Sequence, residues 1–149
     1  MSLEDEIKQK TFKNDHEKGI INLIFTYNYI SASLQKFLHA HNLTLQQYNI
    51  LKILRGQHPN RSTNGMIRDR MLDKNSDVTR IVDRLIKEGL ATRENCANDR
   101  RCVNIYITEK GMALLANLDG YSDKMDNLLG NLSDQEAADL NDLLDKIRR

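Results

Sequence analysis

The sequence is poor in cysteine, proline and tryptophan, with two, one and none of these among its 149 residues. So few cysteines exclude a small disulfide-built scaffold and are typical of a reducing cytoplasm. The longest uncharged apolar stretch, Ile20 to Ile30, is interrupted by Asn and Thr and is far shorter than the roughly 20 residues that span a bilayer. No basic segment leads into an apolar run at the amino end, as a secretory signal requires. These absences predict a cytoplasmic chain of about one domain, with no membrane partner.

The sequence also lacks the local patterns that carry enzyme chemistry. It has no glycine-rich phosphate loop, no nucleophile elbow and no zinc-type spacing of His and Glu. The four histidines do not form a recognisable set of metal ligands. We therefore expect no catalytic site, no metal and no other cofactor.

Charge is unevenly distributed, although the net charge is only +1. Residues 61–101 hold ten Lys and Arg against seven Asp and Glu, whereas residues 117–149 hold four against eight. A basic middle beside an acidic end predicts that the middle of the chain meets a polyanion. Ordinary scatter of charge is the alternative interpretation.

Apolar spacing predicts a series of helices in the first 90 residues. A long one covers about Asp15 to His41, and its length leaves apolar surface for a partner. Thr44 and Gln47 form a capping box at the start of the second helix. Gly56 and Pro59 end that helix. Next come a short helix over about Gly65–Leu72, a turn at residues 73–76 and a helix that stops at Gly89.

After Gly89 the apolar residues recur at every second position instead of at helical spacing. This change predicts strands at residues 90–95 and 103–107 around a basic loop at residues 96–101. A helix capped by Thr108 and reaching about residues 117–129 follows, and then a last helix capped at Ser133. The order predicts a mainly α fold with a small β-hairpin, a winged helix-turn-helix. We expect an N-terminal dimerisation helix at residues 1–42, a DNA-binding lobe at 43–110 and C-terminal dimerisation helices at 111–149.

The helix before Gly89 has the two faces of a DNA recognition helix. One face carries an apolar stripe that includes Val78, Val82 and Leu85, with Ile81 and Ile86 beside them. The other face is polar, and Arg there can pair with guanine while Ser or Thr bonds either base edge. The residues predicted to face DNA are Ser76, Asp77, Thr79, Arg80 and Arg84. A solvated face with an Asp83–Lys87 pair is the alternative.

The basic loop between the predicted strands has its own expected role. Arg100 and Arg101 at the tip of a protruding ribbon can reach the minor groove. Asp99 would hold an arginine side chain extended through a charge-assisted hydrogen bond. The alternative is an exposed Asp–Arg pair of little energetic value.

Several of these runs resemble the MarR family of bacterial transcription regulators. They are DKNSDVTRIVDRLIKE at residues 73–88 with Gly89-Leu90, Asp99-Arg100-Arg101 ahead of ITEKG at residues 107–111, and the Leu43-Thr44 to Leu51 segment. The resemblance covers the chain from about residue 16 onward. It implies a homodimer with intertwined first, fifth and sixth helices, bound to a pseudo-palindromic operator in double-stranded DNA.

By position, the resemblance places Ser76, Asp77, Thr79 and Arg80 at the base-facing start of the recognition helix. It places Asp99 and Arg101 in the wing, with the arginine in the minor groove. It also implies a repressor that is released by a small aromatic or phenolic effector or by an oxidant. The effector-binding residues are not assigned.

Three alternatives remain at this stage. Cys96 and Cys102 bracket the loop and could form a redox switch, although ordinary, separate hairpin cysteines are the favoured interpretation. Tyr27, Tyr29 and Tyr48 either line an effector pocket or, as we expect, pack in the interior. Finally, a winged helix can serve as a protein-docking module without binding specific DNA.

Overall fold

The structure is a computed structural model that describes residues 2–121 and 127–149. Its helices are α1 (Leu3–Ile7), α2 (Asp15–His39), α3 (Leu45–Gln57), α4 (Asn64–Arg70), α5 (Val78–Lys87), α6 (Glu109–Asp119) and α7 (Asp134–Ile147), with a 3₁₀ turn at Asn127–Leu129. Strands β1 (Ala91–Cys96) and β2 (Asp99–Ile107) form an antiparallel hairpin. This architecture confirms the mainly α fold with a small β-hairpin. Within the described ranges, no helix is long and apolar enough to cross a membrane.

The chain divides into two compact units, Met1–Asn42 and Leu43–Arg149. The first unit contains α1 and the 25-residue α2, which begins where Asn14 accepts a hydrogen bond from the Glu17 N–H at 2.9 Å. Lys18 of α2 forms an ion pair with Glu4 of α1. The long helix is as predicted, whereas the sequence pattern did not predict α1.

The tyrosines of α2 do not pack in the interior as expected. Tyr27 and Tyr29 are 66% and 61% exposed in the single chain, so that expectation is wrong for both. Tyr48 of α3 is half-buried, and its burial raises the pKa of its phenol. The apolar surface of α2 is therefore largely uncovered within one chain.

The second unit begins with the predicted capping box. The Thr44 N–H donates to Gln47 Oε1 at 2.9 Å, and the Gln47 N–H donates to Thr44 Oγ1 at 3.1 Å. These bonds satisfy two of the donors that the start of a helix leaves free. Behind this cap, α3 buries Ile50, Leu51 and Leu54 almost completely. The core of the unit is built on this face.

Backbone hydrogen bonds hold the base of the hairpin against the helices. Ser62 forms an isolated β-bridge with Ile105, with N–O distances of 3.0 and 2.8 Å. Thr108 Oγ1 donates to the Gly89 carbonyl at 2.7 Å and also accepts from the Gly111 N–H at 3.1 Å. Gly89 itself has φ of +74°, a left-handed conformation that favours glycine. The hairpin is thus fixed at its base on both strands.

Helix α6 is shorter than predicted. It ends at Asp119, and Asn127–Leu129 form a 3₁₀ turn instead of a continuation of the helix. The middle of the predicted segment, residues 122–126, lies outside the described residues. Beyond it, Ser133 and Glu136 form the predicted capping box of α7, and hydrogen bonds from Ser133 lower the pKa of Glu136.

A bidentate ion pair joins α6 to α3. The two guanidinium nitrogens of Arg55 lie 2.6 and 3.1 Å from the carboxylate oxygens of Asp119. These hydrogen bonds hold the pKa of the Asp119 carboxyl below its ordinary value of 3.8 and raise that of Arg55. The contact spans 64 positions of sequence and therefore closes a long loop.

Glycine at position 111 allows α6 to approach the hairpin closely. A Cβ at this position would lie 2.4 Å from the Leu90 carbonyl oxygen and 2.7 Å from Ile107 Cγ1. Gly111→Ala should therefore lower the free energy of unfolding by about 1–3 kcal/mol through overpacking, measured by urea unfolding. Gly56→Ala in α3 is the matched control, because a Cβ there would meet nothing within 4 Å, and it should raise stability by about 0.5–1 kcal/mol. Equal stability of the two variants would contradict this packing.

The Arg55–Asp119 pair predicts a specific dependence of stability on pH. Because the folded pKa of Asp119 is lowered, the contribution of the pair is fully present above pH 3.8 and is lost as pH falls through the folded pKa. Asp119→Asn should cost at most about 1 kcal/mol at neutral pH, since the pair is solvent-exposed, and less in high salt. Urea unfolding across pH should show the difference from wild type vanishing in acid. Asp142→Asn on the exposed surface of α7 should show no such trend, and a difference for Asp119→Asn that persists in acid would refute the assignment.

Candidate nucleic-acid interface

Helix α5 has one buried and one exposed face. Val78, Val82 and Leu85 are 1%, 3% and 0% exposed, and Ile81 and Ile86 are half-buried beside them. Since these side chains all lie within about 80° of Val78 at ~100° per residue, the opposite face must point outward. It carries Thr79, Arg80 and Arg84, all exposed.

The N-terminus of α5 combines a cap with an unpaired hydroxyl. Asp77 is the N-cap, and its Oδ1 accepts a hydrogen bond from the Arg80 N–H at 3.2 Å. Ser76 is half-buried, and its hydroxyl has no hydrogen-bond partner among the residues that the structure describes. Free N–H groups and the helix dipole at this end favour an anionic group. Asp77 thus orders the first turn, and the Ser76 hydroxyl is buried beside it.

The start of α5 borders an open groove of about 340 Å³. Two arginines and two aspartates among its lining residues give the groove a mixed charge. The lining residues are Thr44, Gln46, Asp73, Ser76, Asp77, Arg80, Ile81 and Arg84. Four of the five predicted α5 site residues, all except Thr79, therefore lie on one concave surface.

Side-chain hydrogen bonds fix the turn that leads into α5. Asp73 Oδ1 accepts from the Asn75 N–H at 3.0 Å, and Lys74 Nζ donates to the Asp69 carbonyl at 2.5 Å. Asn49 of α3 accepts from the Leu72 N–H at 2.9 Å. Asn49 was not predicted from the sequence, because a bond between residues 23 positions apart leaves no local pattern. These contacts set the position at which α5 begins.

Asp83 links α5 to the hairpin. It forms an ion pair with Arg93 of β1, and the two side chains are 52% and 45% exposed. The partner is therefore Arg93 and not Lys87, as the solvated-face alternative supposed. An exposed pair of this kind contributes at most about 1 kcal/mol, so its main effect is to orient the hairpin relative to α5. Sequence reasoning missed Arg93 because its partner lies on another element.

The tip of the hairpin contains a bulge that presents both predicted arginines. The ladder pairs Asn95 with Val103 and then Cys96 with Asp99, so the register shifts at this point. Residues 100–102 are the extra residues of β2 at the shift, and Arg100 and Arg101 within them are exposed. A bulge bends a strand and re-aims its side chains. Here it leaves two exposed arginines outside the regular pairing of the strands.

Asp99 stabilises this tip through the backbone. Its Oδ1 accepts from the Arg101 N–H at 2.8 Å, the geometry of an Asx turn. The expectation that Asp99 holds an arginine side chain is therefore wrong. The carboxylate bonds the backbone instead, because Asn and Asp side chains readily accept a hydrogen bond from the backbone N–H two residues further along the chain.

Cys96 and Cys102 are joined by a disulfide across the tip, with their Cα atoms 5.4 Å apart. The favoured expectation of separate hairpin cysteines is thus wrong. Continuing the regular register of the strands places position 96 opposite position 102, at a separation that suits a disulfide. The bond encloses residues 97–101, which include both arginines.

Two basic elements therefore project from the second unit: the exposed face of α5 and the tip of the hairpin. An α-helix fits the major groove of DNA, and an arginine-tipped ribbon fits the adjacent minor groove. Among the residues described, no group of three His, Cys, Asp or Glu side chains could hold a metal ion. The short connection at residues 71–77 between α4 and α5, together with the hairpin, defines a winged helix-turn-helix protein.

Comparisons with known proteins agree with this class. Residues 43–103 match the family model of the MarR family. The chain is 28% identical over 133 residues to the HTH-type transcriptional regulator MhqR of Bacillus subtilis, covering 87% of this chain and 89% of that protein.

Solved structures give the same result. The MarR transcription factor from Planctomyces limnophilus is 30% identical, with a TM-score of 0.71 over 91% of this chain and 98% of that chain. BpsR of Bordetella bronchiseptica, whose DNA binding is regulated by 6-hydroxynicotinic acid, is 22% identical, with a TM-score of 0.78 over 89% of this chain and 100% of that one. The chain belongs to the MarR family, and it is a DNA-binding transcription regulator and not an enzyme.

Proposed function

We propose that the protein is a repressor that binds a pseudo-palindromic operator as a homodimer in the cytoplasm. The observation that carries this proposal is the exposed face of α5, where Arg80 and Arg84 project from a helix whose other face buries Val78, Val82 and Leu85. An ordered helix pays little entropy when its side chains engage DNA. Occupying the operator would block polymerase and so repress transcription.

In this proposal, each predicted site residue has a physical role. Arg80 pairs with a guanine in the major groove, with Thr79 and Arg84 beside it. Ser76 lies on the groove at the start of the helix, against the phosphate backbone or a base edge, and Asp77 holds the first turn in place. Arg100 and Arg101 enter the minor groove, positioned by Asp99 and the bulge.

The apolar surface of α2 supports the homodimer. Ile20, Ile24 and Tyr27 recur at helical spacing and are 61%, 57% and 66% exposed. On α7, Leu143 and Ile147 are 59% and 65% exposed. Exposed apolar stripes of this kind mark interaction sites. We assign dimerisation to residues 1–42 and 111–149 and DNA binding to residues 43–110.

We also propose that a small aromatic or phenolic ligand releases the operator. The support is the structural similarity to BpsR, whose DNA binding 6-hydroxynicotinic acid regulates. A ligand of this kind would change the separation of the two lobes from the half-site spacing of about 34–36 Å. No residue of this chain is assigned to the ligand.

The operator can be identified by selecting bound duplexes from a random DNA library with the purified protein. We expect an enriched inverted repeat, because two equivalent recognition helices read two half-sites. The absence of enrichment, with only weak salt-sensitive binding, would favour a protein-docking module instead.

Single arginine substitutions test the interface on the selected duplex. Arg80→Ala should cost about 1–3 kcal/mol of binding free energy and relax specificity at one base position. Arg101→Ala should weaken binding and reduce the salt slope by up to about 1 if it neutralises a phosphate. Arg149→Ala at the exposed carboxyl end is the control. Fluorescence anisotropy would measure all three, and unchanged affinity in both test variants would show that the recognition assignment is wrong.

A charge on the apolar face of α2 tests the homodimer. Ile24→Asp should convert dimer to monomer, because a buried unpaired carboxylate at the interface is costly. Asn22→Asp adds the same charge at an exposed position about 160° away on the helix and should leave the dimer intact. Size-exclusion chromatography with light scattering would give both masses. A dimer that survives Ile24→Asp would place the interface elsewhere.

A further inference from the structure

The disulfide lies at the point where the hairpin presents its arginines. Between Cys96 and Cys102 the chain makes its turn at Ala97 and Asn98 and then enters the bulge. Both cysteines are half-buried at the tip, and Cys102 lies three residues along β2 from Ile105, which forms the bridge to Ser62. The bond therefore constrains the tip of the hairpin and little else.

We propose that Cys96 and Cys102 form a reversible redox site that sets the affinity of the wing for DNA. The disulfide form binds operator DNA more tightly, and reduction to two thiols weakens binding. The proposal rests on the DNA-binding function proposed above. It assigns regulation by thiol redox chemistry to a site in the interface itself.

The chemistry is thiol–disulfide exchange with a small-molecule disulfide such as oxidised glutathione. One cysteine thiolate attacks the small disulfide, which forms a mixed disulfide and releases one small thiol. The second cysteine then attacks the mixed disulfide, which forms the Cys96–Cys102 bond and releases the second small thiol. Two protein thiols thus lose two electrons and two protons, and the small disulfide gains both. Excess reduced small thiol reverses the reaction.

The bulge explains why this bond would control DNA binding. Residues 100–102 fall outside the regular pairing of the two strands, so the ladder that orders the rest of the hairpin does not order them. At the tip, the Asp99 bond to the Arg101 N–H and the disulfide take the place of that ladder. Without the disulfide, the loop that carries Arg100 and Arg101 samples more conformations. In the reduced protein, ordering this loop on DNA costs conformational free energy. The oxidised form avoids that cost because its loop is already ordered.

The proposed cytoplasmic location of the protein also favours a reversible disulfide. Cytoplasmic disulfides in ordinary organisms are mostly transient and redox-sensing, because the glutathione and thioredoxin systems keep thiols reduced. Here the fold does not depend on the bond, since the base of the wing is held by Ser62, Ile105 and Thr108 through separate hydrogen bonds. Reduction should therefore loosen the tip while the remainder of the lobe stays folded.

The test compares oxidised and reduced full-length protein on the selected operator duplex. The protein is equilibrated in glutathione buffers of different ratio, and the disulfide content is measured by thiol alkylation and mass spectrometry. Affinity is measured on the same samples by fluorescence anisotropy. We expect the oxidised form to bind about fivefold more tightly, as modest preorganisation of one loop would produce.

Two variants serve as controls. The double variant Cys96→Ser, Cys102→Ser should bind like the reduced protein and should not respond to the glutathione ratio. Arg101→Ala should form the disulfide normally but lose most of the affinity difference, because the bond acts by positioning that side chain. Thermal unfolding would verify that each variant is folded.

Each outcome is distinct. If the two thiols form no disulfide in any glutathione buffer, the proposed redox site is wrong. A disulfide that forms but leaves affinity equal or weaker overturns its coupling to DNA, while the DNA-binding function stands. If neither form of the protein binds specific DNA, both the proposed function and this regulation are wrong.

Discussion

The rest of the interface depends on the burial of three side chains of α5. Val78, Val82 and Leu85 have almost no exposed surface, so rotating the helix about its axis would bring apolar area into water. At roughly 25 cal/mol per Å² of apolar surface, burial of this stripe is worth several kcal/mol. That free energy holds the helix in one orientation and thereby fixes the direction in which Arg80 and Arg84 point.

The wing is constrained differently at its two ends. At the base, ladder hydrogen bonds, the Ser62–Ile105 bridge and the Thr108 hydroxyl tie both strands to the core. At the tip, the register shifts, and an Asx-type bond with a disulfide replaces the ladder. Asp83 and Arg93 connect α5 to the first strand between these two ends. A rigid base with a separately fastened tip allows the arginine positions to change without loss of the fold.

Much of the fold was predictable because its signals are local. The capping residues Thr44 and Ser133 and the left-handed stop at Gly89 each act within a few residues of the element they bound. Several of the predictions that were wrong concern contacts between elements or the end of a helix with weak signals. Asp83 bonds to Arg93 across two elements, and Cys96 meets Cys102 only because the two strands pair with Asn95 opposite Val103. Helix α6 ends earlier than its apolar pattern suggested, at Asp119, which Arg55 holds from α3.

The sequence by itself determined the order of the main elements from α2 onward, the polar and apolar faces of α5 and the basic character of the wing. Hydrophobic spacing and capping depend on neighbours that are close in the chain, so they can be inferred without coordinates. The tertiary structure alone decided which carboxylate meets which arginine, how the bulge presents Arg100 and Arg101, and that the two cysteines are bonded. These features arise where distant segments meet, and their geometry is set by the packing of the whole lobe.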